Sequence, residues 1–307
     1  MRPSTLGFAT SAAGRSGPTA RPRVWSPFRR DVPTLAAAAA LLLIVAMAVT
    51  APVITPYTYD RQNLEGALQG PSPTHWLGTD NYGRDVFSRV AYGARISLAV
   101  GAVAVTAEAT IGALWGMVAG LYGGRLDAWM MRVVDLLIAF PALLLAILIT
   151  GIFGRSMVNV VLALVLTAWP GIARLVRSHA VVLREREFVE AARAAGATPG
   201  RVVRRHLLPN VVHLVIARAT LDASVIILLE ATLSFVGLGV QPPQPSWGLM
   251  INEAFGYLRS TPYLLVAPAV FLSLTVISLN ILGEALTVAL DPRRRRSRLT
   301  GARTERA

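Results

Sequence analysis

The stretch that decides the fold is Glu187-Phe-Val-Glu-Ala-Ala-Arg-Ala-Ala-Gly-Ala-Thr-Pro-Gly-Arg-Val-Val-Arg-Arg-His-Leu-Leu-Pro-Asn210. It is charged and rich in helix formers, and it stands between long apolar runs on both sides. Glu187 to Ala195 reads as a helix, because Glu, Ala and Arg carry little penalty in one. Gly196 ends it. Thr198 followed by Pro199 is a restart signal, with Thr as N-cap and Pro at the first helical position. The stretch therefore reads as helix, glycine turn and second helix, with Leu208-Pro209 leading into the next apolar run. Ala191, Ala192, Ala194 and Ala195 leave a slim surface that fits a groove on a partner.

The rest of the chain gives that insert its context. Of its 307 residues, 54% are hydrophobic and only 15% charged, with a mean hydropathy of +0.53. Soluble domains carry about 25% charged residues. The composition thus specifies an integral membrane protein with little aqueous mass. Six apolar runs are long enough, or nearly so, to cross roughly 30 Å of hydrocarbon at about 1.5 Å per helical residue. They lie at 32–54, 96–122, 133–153, 157–172, 211–238 and 262–286. The expected fold is all-α and polytopic, with about six transmembrane helices and a cytoplasmic loop at 187–210. Residues 1–30 have six Arg and no acid and read as a disordered basic tail. The membrane domain covers 31–293, and 294–307 form a second basic tail. Ala46-Met-Ala48 resembles a signal-peptidase site, but the apolar run around it is long for a signal core, which favours an uncleaved helix.

All 30 Lys and Arg positions are Arg. Without Lys, no phosphate-binding loop of the Gly-x-x-x-x-Gly-Lys-Ser/Thr type exists here, so the chain supplies no such ATP site itself. With no Cys, disulfides and thiolate metal sites are excluded, and the four His are scattered. The Arg residues flank apolar runs, which points to topology rather than nucleic acid. If the N-terminus lies inside, 23 Arg fall on the inner side and 6 on the outer, with Arg218 inside the fifth run. That asymmetry places both termini and the 187–210 insert in the cytoplasm.

Finer local readings follow. Asp80 to Gly83 lacks the ligand spacing of a calcium loop and reads as a turn. Val86, Phe87, Val90 and Ala91 suggest a short interfacial helix before the second run, with Trp76 as an anchor. Gly112, Gly116 and Gly120 stack on one helix face and invite close packing. Arg125 to Arg132 reads as a polar turn, and Pro141 as a kink in the third run. Within the runs, Arg218 and Asp222 are spaced to pair on one face, as are Arg132 and Asp135. Glu108 and Glu230 have no partner in sequence and are the candidates for a cavity lining or a subunit interface.

At this point the motifs carry a resemblance. Glu190-Ala-Ala192, three residues, Gly196, nine residues, then His206-x-Leu208-Pro209 resembles the EAA loop of ABC importer permeases, with His206 where that pattern has Ile. Three further stretches resemble the dipeptide, oligopeptide and nickel branch: 77–89, 237–250, and the ending formed by 280–286 and 290–293. In that order they are similar to the second, C-type permease of the pair. The resemblance implies a subunit that pairs with a sister permease. Two cytoplasmic ATPases would bind the ATP, and an extracytoplasmic binding protein would deliver a peptide. Glu190, Ala191, Ala192 and Gly196 would then form the ATPase contact, with Leu208 and Pro209 as the joint to the membrane. No catalytic, metal or cofactor role is expected in this chain. A nickel or other small-solute permease is the alternative cargo reading. A proton-coupled secondary transporter and an intramembrane enzyme are the readings from other classes.

Overall fold

A computed structural model describes residues 31–290; the two basic tails inferred from sequence lie outside the described residues. Ten α-helices carry the described chain. They are α1 (Val32–Ile54), α2 (Val86–Tyr122), α3 (Gly124–Ala139), α4 (Ala142–Phe153), α5 (Met157–Arg184), α6 (Glu187–Ala194), α7 (Pro199–Val202), α8 (Leu208–Phe235), α9 (Trp247–Phe255) and α10 (Tyr263–Leu290). A π-helical segment, Val203–Leu207, joins α7 to α8 without a break. The surface left to the surroundings is apolar: Leu42, Leu43 and Val49 on α1 are each about 70% exposed. Such a surface suits acyl chains and not water.

α2 and α5 form the spine. Gly112 faces Trp169 and Ile172, Gly116 faces Ala173 and Val176, and Gly120 faces Arg177 and Ala180. The register rises on both helices together, so they run parallel. Two parallel spans need a return crossing between them, and α3 with α4 supplies it. With that pair counted as one broken crossing, the described residues hold six candidate spans, although α3 and α4 meet at 89° and neither alone is long enough. At Gly116 a Cβ would lie 2.4 Å from the Ala173 carbonyl oxygen, so the two backbones touch where any side chain would separate them.

Several local readings are corrected. Residues 86–91 are not a separate interfacial helix but the first turns of α2. Asp85 caps α2, accepting from the Ser88 backbone N–H at 2.8 Å, and no Pro interrupts the next 37 residues. Residues 125–132 are helical, within α3. Pro141 breaks the third run instead of kinking it. Phe140 before it takes an extended backbone (φ −89°, ψ 136°), as a residue preceding proline prefers. The fourth span does not stop near Trp169-Pro-Gly171. α5 continues through Pro170 to Arg184, because packing on the α2 glycines outweighs the local cost of a mid-helix proline. α9 begins at Trp247, with the Ser246 side chain as its N-cap, accepting from the Leu249 N–H. Asp135 does not pair with Arg132; Arg174 of α5 donates to it at 2.6 Å. The Arg218–Asp222 pair forms as expected, at 2.8 Å.

Candidate functional site

The insert at 187–210 folds as a helical hairpin where the C-terminal end of α5 meets the N-terminal end of α8. α6 closes with a left-handed glycine: Gly196 has φ +84°. The Gly196 N–H donates to the Arg193 carbonyl at 2.9 Å and the Ala197 N–H to the Ala192 carbonyl at 3.0 Å. This nested pair satisfies carbonyls that a helix end leaves open. Thr198 occupies the N-cap position with extended backbone and Pro199 follows at the first helical position, but the Thr198 hydroxyl makes no cap bond. The chain then widens into the π-helical turn, Val203–Leu207, ahead of Pro209. Proline has no N–H to offer the carbonyl four residues back, and the Asn210 side chain donates to the His206 carbonyl at 2.7 Å.

The hairpin is anchored from below. Val189, Val202 and Leu207 are buried with Met117 and Leu121 of α2, Val176 and Ala180 of α5, and Val211 of α8. Arg184 donates to the Gly120 carbonyl at 3.2 Å. Arg177 grips Asp127 with two bonds, of 2.5 and 2.6 Å, which ties α5 to α3. The hairpin is thus packed on α2, α5 and α8, and α5 is in turn bonded to α3. The outward face holds the residues singled out by sequence: Glu190, Ala191 and Gly196 are exposed and Ala192 half-buried. Leu208 and Pro209 are exposed at the start of α8. The sequence reading missed the anchors. Val189 sits one residue before Glu190 and points the other way, which the helical period alone would have suggested.

The two unpaired acids occupy different settings. Glu230 of α8 is fully buried and accepts from Ser97 of α2 at 3.1 Å and Ser234 at 2.8 Å. Glu108 of α2 is also fully buried, yet neither carboxylate oxygen has a hydrogen-bond partner. It lies within electrostatic reach of Arg218 and Asp222 on α8. An apolar cavity of about 510 Å³ opens between α1, α2, α8 and α10, lined by Val45, Leu98, Val105, Ile227 and Leu279 with Arg95; neither acid reaches it. Among the described residues, no group of His, Asp and Glu is placed to hold a metal ion.

On the opposite side, two of the quoted motifs meet. Asp80 holds Arg84 at 2.7 Å and Arg89 at 2.5 Å, and both arginines reach Glu253 of α9. Trp247 is buried against Gly93 and donates to the Val90 carbonyl at 3.2 Å. At Gly248 a Cβ would strike the Ala231 carbonyl. The 77–89 and 237–250 motifs therefore build one platform where the N-terminal end of α2, the C-terminal end of α8 and α9 meet.

Comparison with known proteins bears on all of this. The model of the family described as binding-protein-dependent transport system inner membrane component matches residues 112–296. A second model, the N-terminal TM domain of oligopeptide transport permease C, matches 22–71. The chain is similar to the dipeptide transport system permease protein DppC of Alkalihalophilus pseudofirmus. The two are 42% identical over 249 residues, 81% of this chain and 82% of that protein. It is 41% identical over 275 residues to the glutathione transport system permease protein GsiD of Pectobacterium atrosepticum, 88% of this chain and 90% of that one. Among solved structures, the MetNI methionine ABC transporter in an inward-facing conformation superposes with a TM-score of 0.53. That match has 22% identity and covers 66% of this chain and 96% of that one. At that identity the likeness speaks for the fold.

Proposed function

The chain belongs to the family of binding-protein-dependent transport inner membrane components, and from that premise we propose that it is the C-type permease subunit of an ATP-driven importer of short peptides. The names of the curated relatives, dipeptide and glutathione permeases, support the peptide reading over nickel. One observation carries the mechanism. A polar hairpin with a slim exposed face is seated by Val189, Val202 and Leu207 on α2, α5 and α8 at once. Such a part transmits a push and does not merely cap a helix pair.

In this reading, two cytoplasmic ATPases bind the ATP and each permease offers one hairpin. Glu190, Ala191, Ala192 and Gly196 enter a groove on one ATPase. Closure of the ATPase dimer moves the hairpin, and Leu208-Pro209, behind the π-helical turn, passes the movement to α8. A sister permease completes the path, and an extracytoplasmic binding protein delivers the peptide to the outer platform. The excess of Arg on one side supports cytoplasmic termini and a bacterial-type inner membrane setting. The lack of Lys supports an ATP site on the partners.

The test is uptake of labelled dialanine into proteoliposomes holding the complete complex with its binding protein. Uptake that depends on internal ATP, and not on a proton gradient, is expected. Uptake of nickel in place of dialanine would overturn the cargo, and uptake without ATP would overturn the class.

A further inference from the structure

Arg218 and Asp222 are an ion pair where a membrane helix has little use for one. Asp222 lies 14 residues into α8, about 21 Å along an axis of about 42 Å. Glu108 lies 14 residues before the cytoplasmic end of α2, also about 21 Å from it. The three ionisable side chains therefore share the middle of the bilayer. Arg218 crosses the opening beside Gly171 of α5, where an added Cβ would lie 3.7 Å from its Nη2. Its side chain is 50% exposed and that of Asp222 16%.

A charged side chain facing hydrocarbon at this depth costs roughly 2.5–3.5 kcal/mol on insertion scales. The open face of this pair accordingly belongs to water or to a polar solute. Glu108 adds a second observation, being fully buried with both carboxylate oxygens unpartnered and within reach of the pair. A buried carboxyl without partners is costly to keep charged, so behind the pair it stands as an open polar group and not as a third charge. Arg offers a planar fork for a carboxylate, and Asp an acceptor for an ammonium group. A zwitterion can therefore replace the internal bond with two external ones and leave the net charge unchanged.

We propose that Arg218 and Asp222 are the midplane recognition site for the two charged ends of a zwitterionic substrate, Arg218 taking the carboxylate and Asp222 the ammonium, with the buried, unpartnered Glu108 carboxyl behind them. This rests on the reading of the chain as a peptide permease. It adds which ends of the peptide the membrane path reads, and with which side chains.

The experiment uses the complete complex in proteoliposomes with its binding protein and ATP. The probes are dialanine, its C-terminal amide and its N-acetyl form, each rate being divided by the wild-type rate for the same probe. Arg218→Gln should slow dialanine roughly tenfold, the scale of one lost charge-assisted contact, and leave the amide near its wild-type rate. Asp222→Asn should slow dialanine similarly and spare the N-acetyl form. ATP hydrolysis stimulated by loaded binding protein should hold in both. If Arg218→Gln does not assemble, Arg218→Lys is read on the same ratio, and a reduced preference for free carboxylate supports the site. Variants that keep the wild-type preferences overturn it, as do variants whose sole defect is failure to bind the sister permease. If wild-type complex takes up no dialanine with ATP, the peptide-permease reading itself fails, a separate outcome.

Discussion

Arg89 and Glu253 stand 164 positions apart in the chain and meet at 2.7 Å on the platform opposite the hairpin. Arg89 is 1% exposed, and the same guanidinium nitrogen also reaches Asp80. Removing one member of a buried pair leaves the other charge uncompensated, at a cost of about 3–5 kcal/mol. Glu253→Ala should therefore lower the thermal midpoint of the purified subunit in detergent by several degrees. Asp80→Ala should do the same. A pair of variants with unchanged midpoints would show that the platform is held by Trp247 alone.

The α2–α5 spine predicts a steep size dependence at Gly116. A methyl group there meets the Ala173 carbonyl at 2.4 Å and the Arg177 backbone nitrogen at 2.9 Å. Backbone atoms cannot swing aside, so the helices must separate. Gly116→Ala should destabilise by about 1–3 kcal/mol and Gly116→Leu should abolish assembly. Proteolysis of the detergent-solubilised subunit reads this directly, while Gly124→Ala, with open space around it but a positive φ, should give only a small backbone effect.

Leu207 is fully buried in the anchor of the hairpin. Leu207→Ala should cost about 2–5 kcal/mol through the cavity left behind. The functional signature is more specific than the stability loss. ATP hydrolysis should continue while uptake falls, because the hairpin then moves without carrying α2 and α5. Parallel assays of phosphate release and uptake measure that uncoupling.

At Gly196 an added Cβ meets nothing, so only the φ of +84° resists substitution. Gly196→Ala should cost about 1–2 kcal/mol locally, and Gly196→Asn less, since Asn tolerates the left-handed region. Coupling efficiency should rank Gly, then Asn, then Ala. Equal activity of the three would mean that the turn geometry is not what the partner reads.

Much of this was legible before any coordinates. Continuous apolar runs gave the six crossings, and Gly196 with Thr198-Pro199 gave the two-helix hairpin, because those signals act within a few residues. What stayed hidden depends on residues far apart. Pro170 reads locally as a stop, yet α5 runs through it because the glycines of α2, some 60 positions earlier, hold the helix together. Asp135 has a suitable Arg three residues away but bonds Arg174 across the helix pair. Arg84, Arg89 and Asp80 look like an exposed polar loop until Glu253 closes over them. Val189 was overlooked beside Glu190: the helical period turns it to the opposite face, but the α2, α5 and α8 residues it packs against are far away in the chain.

The central claim is that force from ATP enters this chain through the exposed face of the hairpin, at Glu190. It is tested most directly by ATP-driven dialanine uptake in the reconstituted complex carrying Glu190→Arg, alongside co-purification of the ATPase subunits. Glu190 is exposed on α6 and makes no ion pair among the described residues, so the change should leave the fold and its thermal midpoint intact. The account predicts loss of ATPase co-purification and of uptake together. Full uptake by the Glu190→Arg complex, or uptake driven by a proton gradient with no ATPase present, would contradict it.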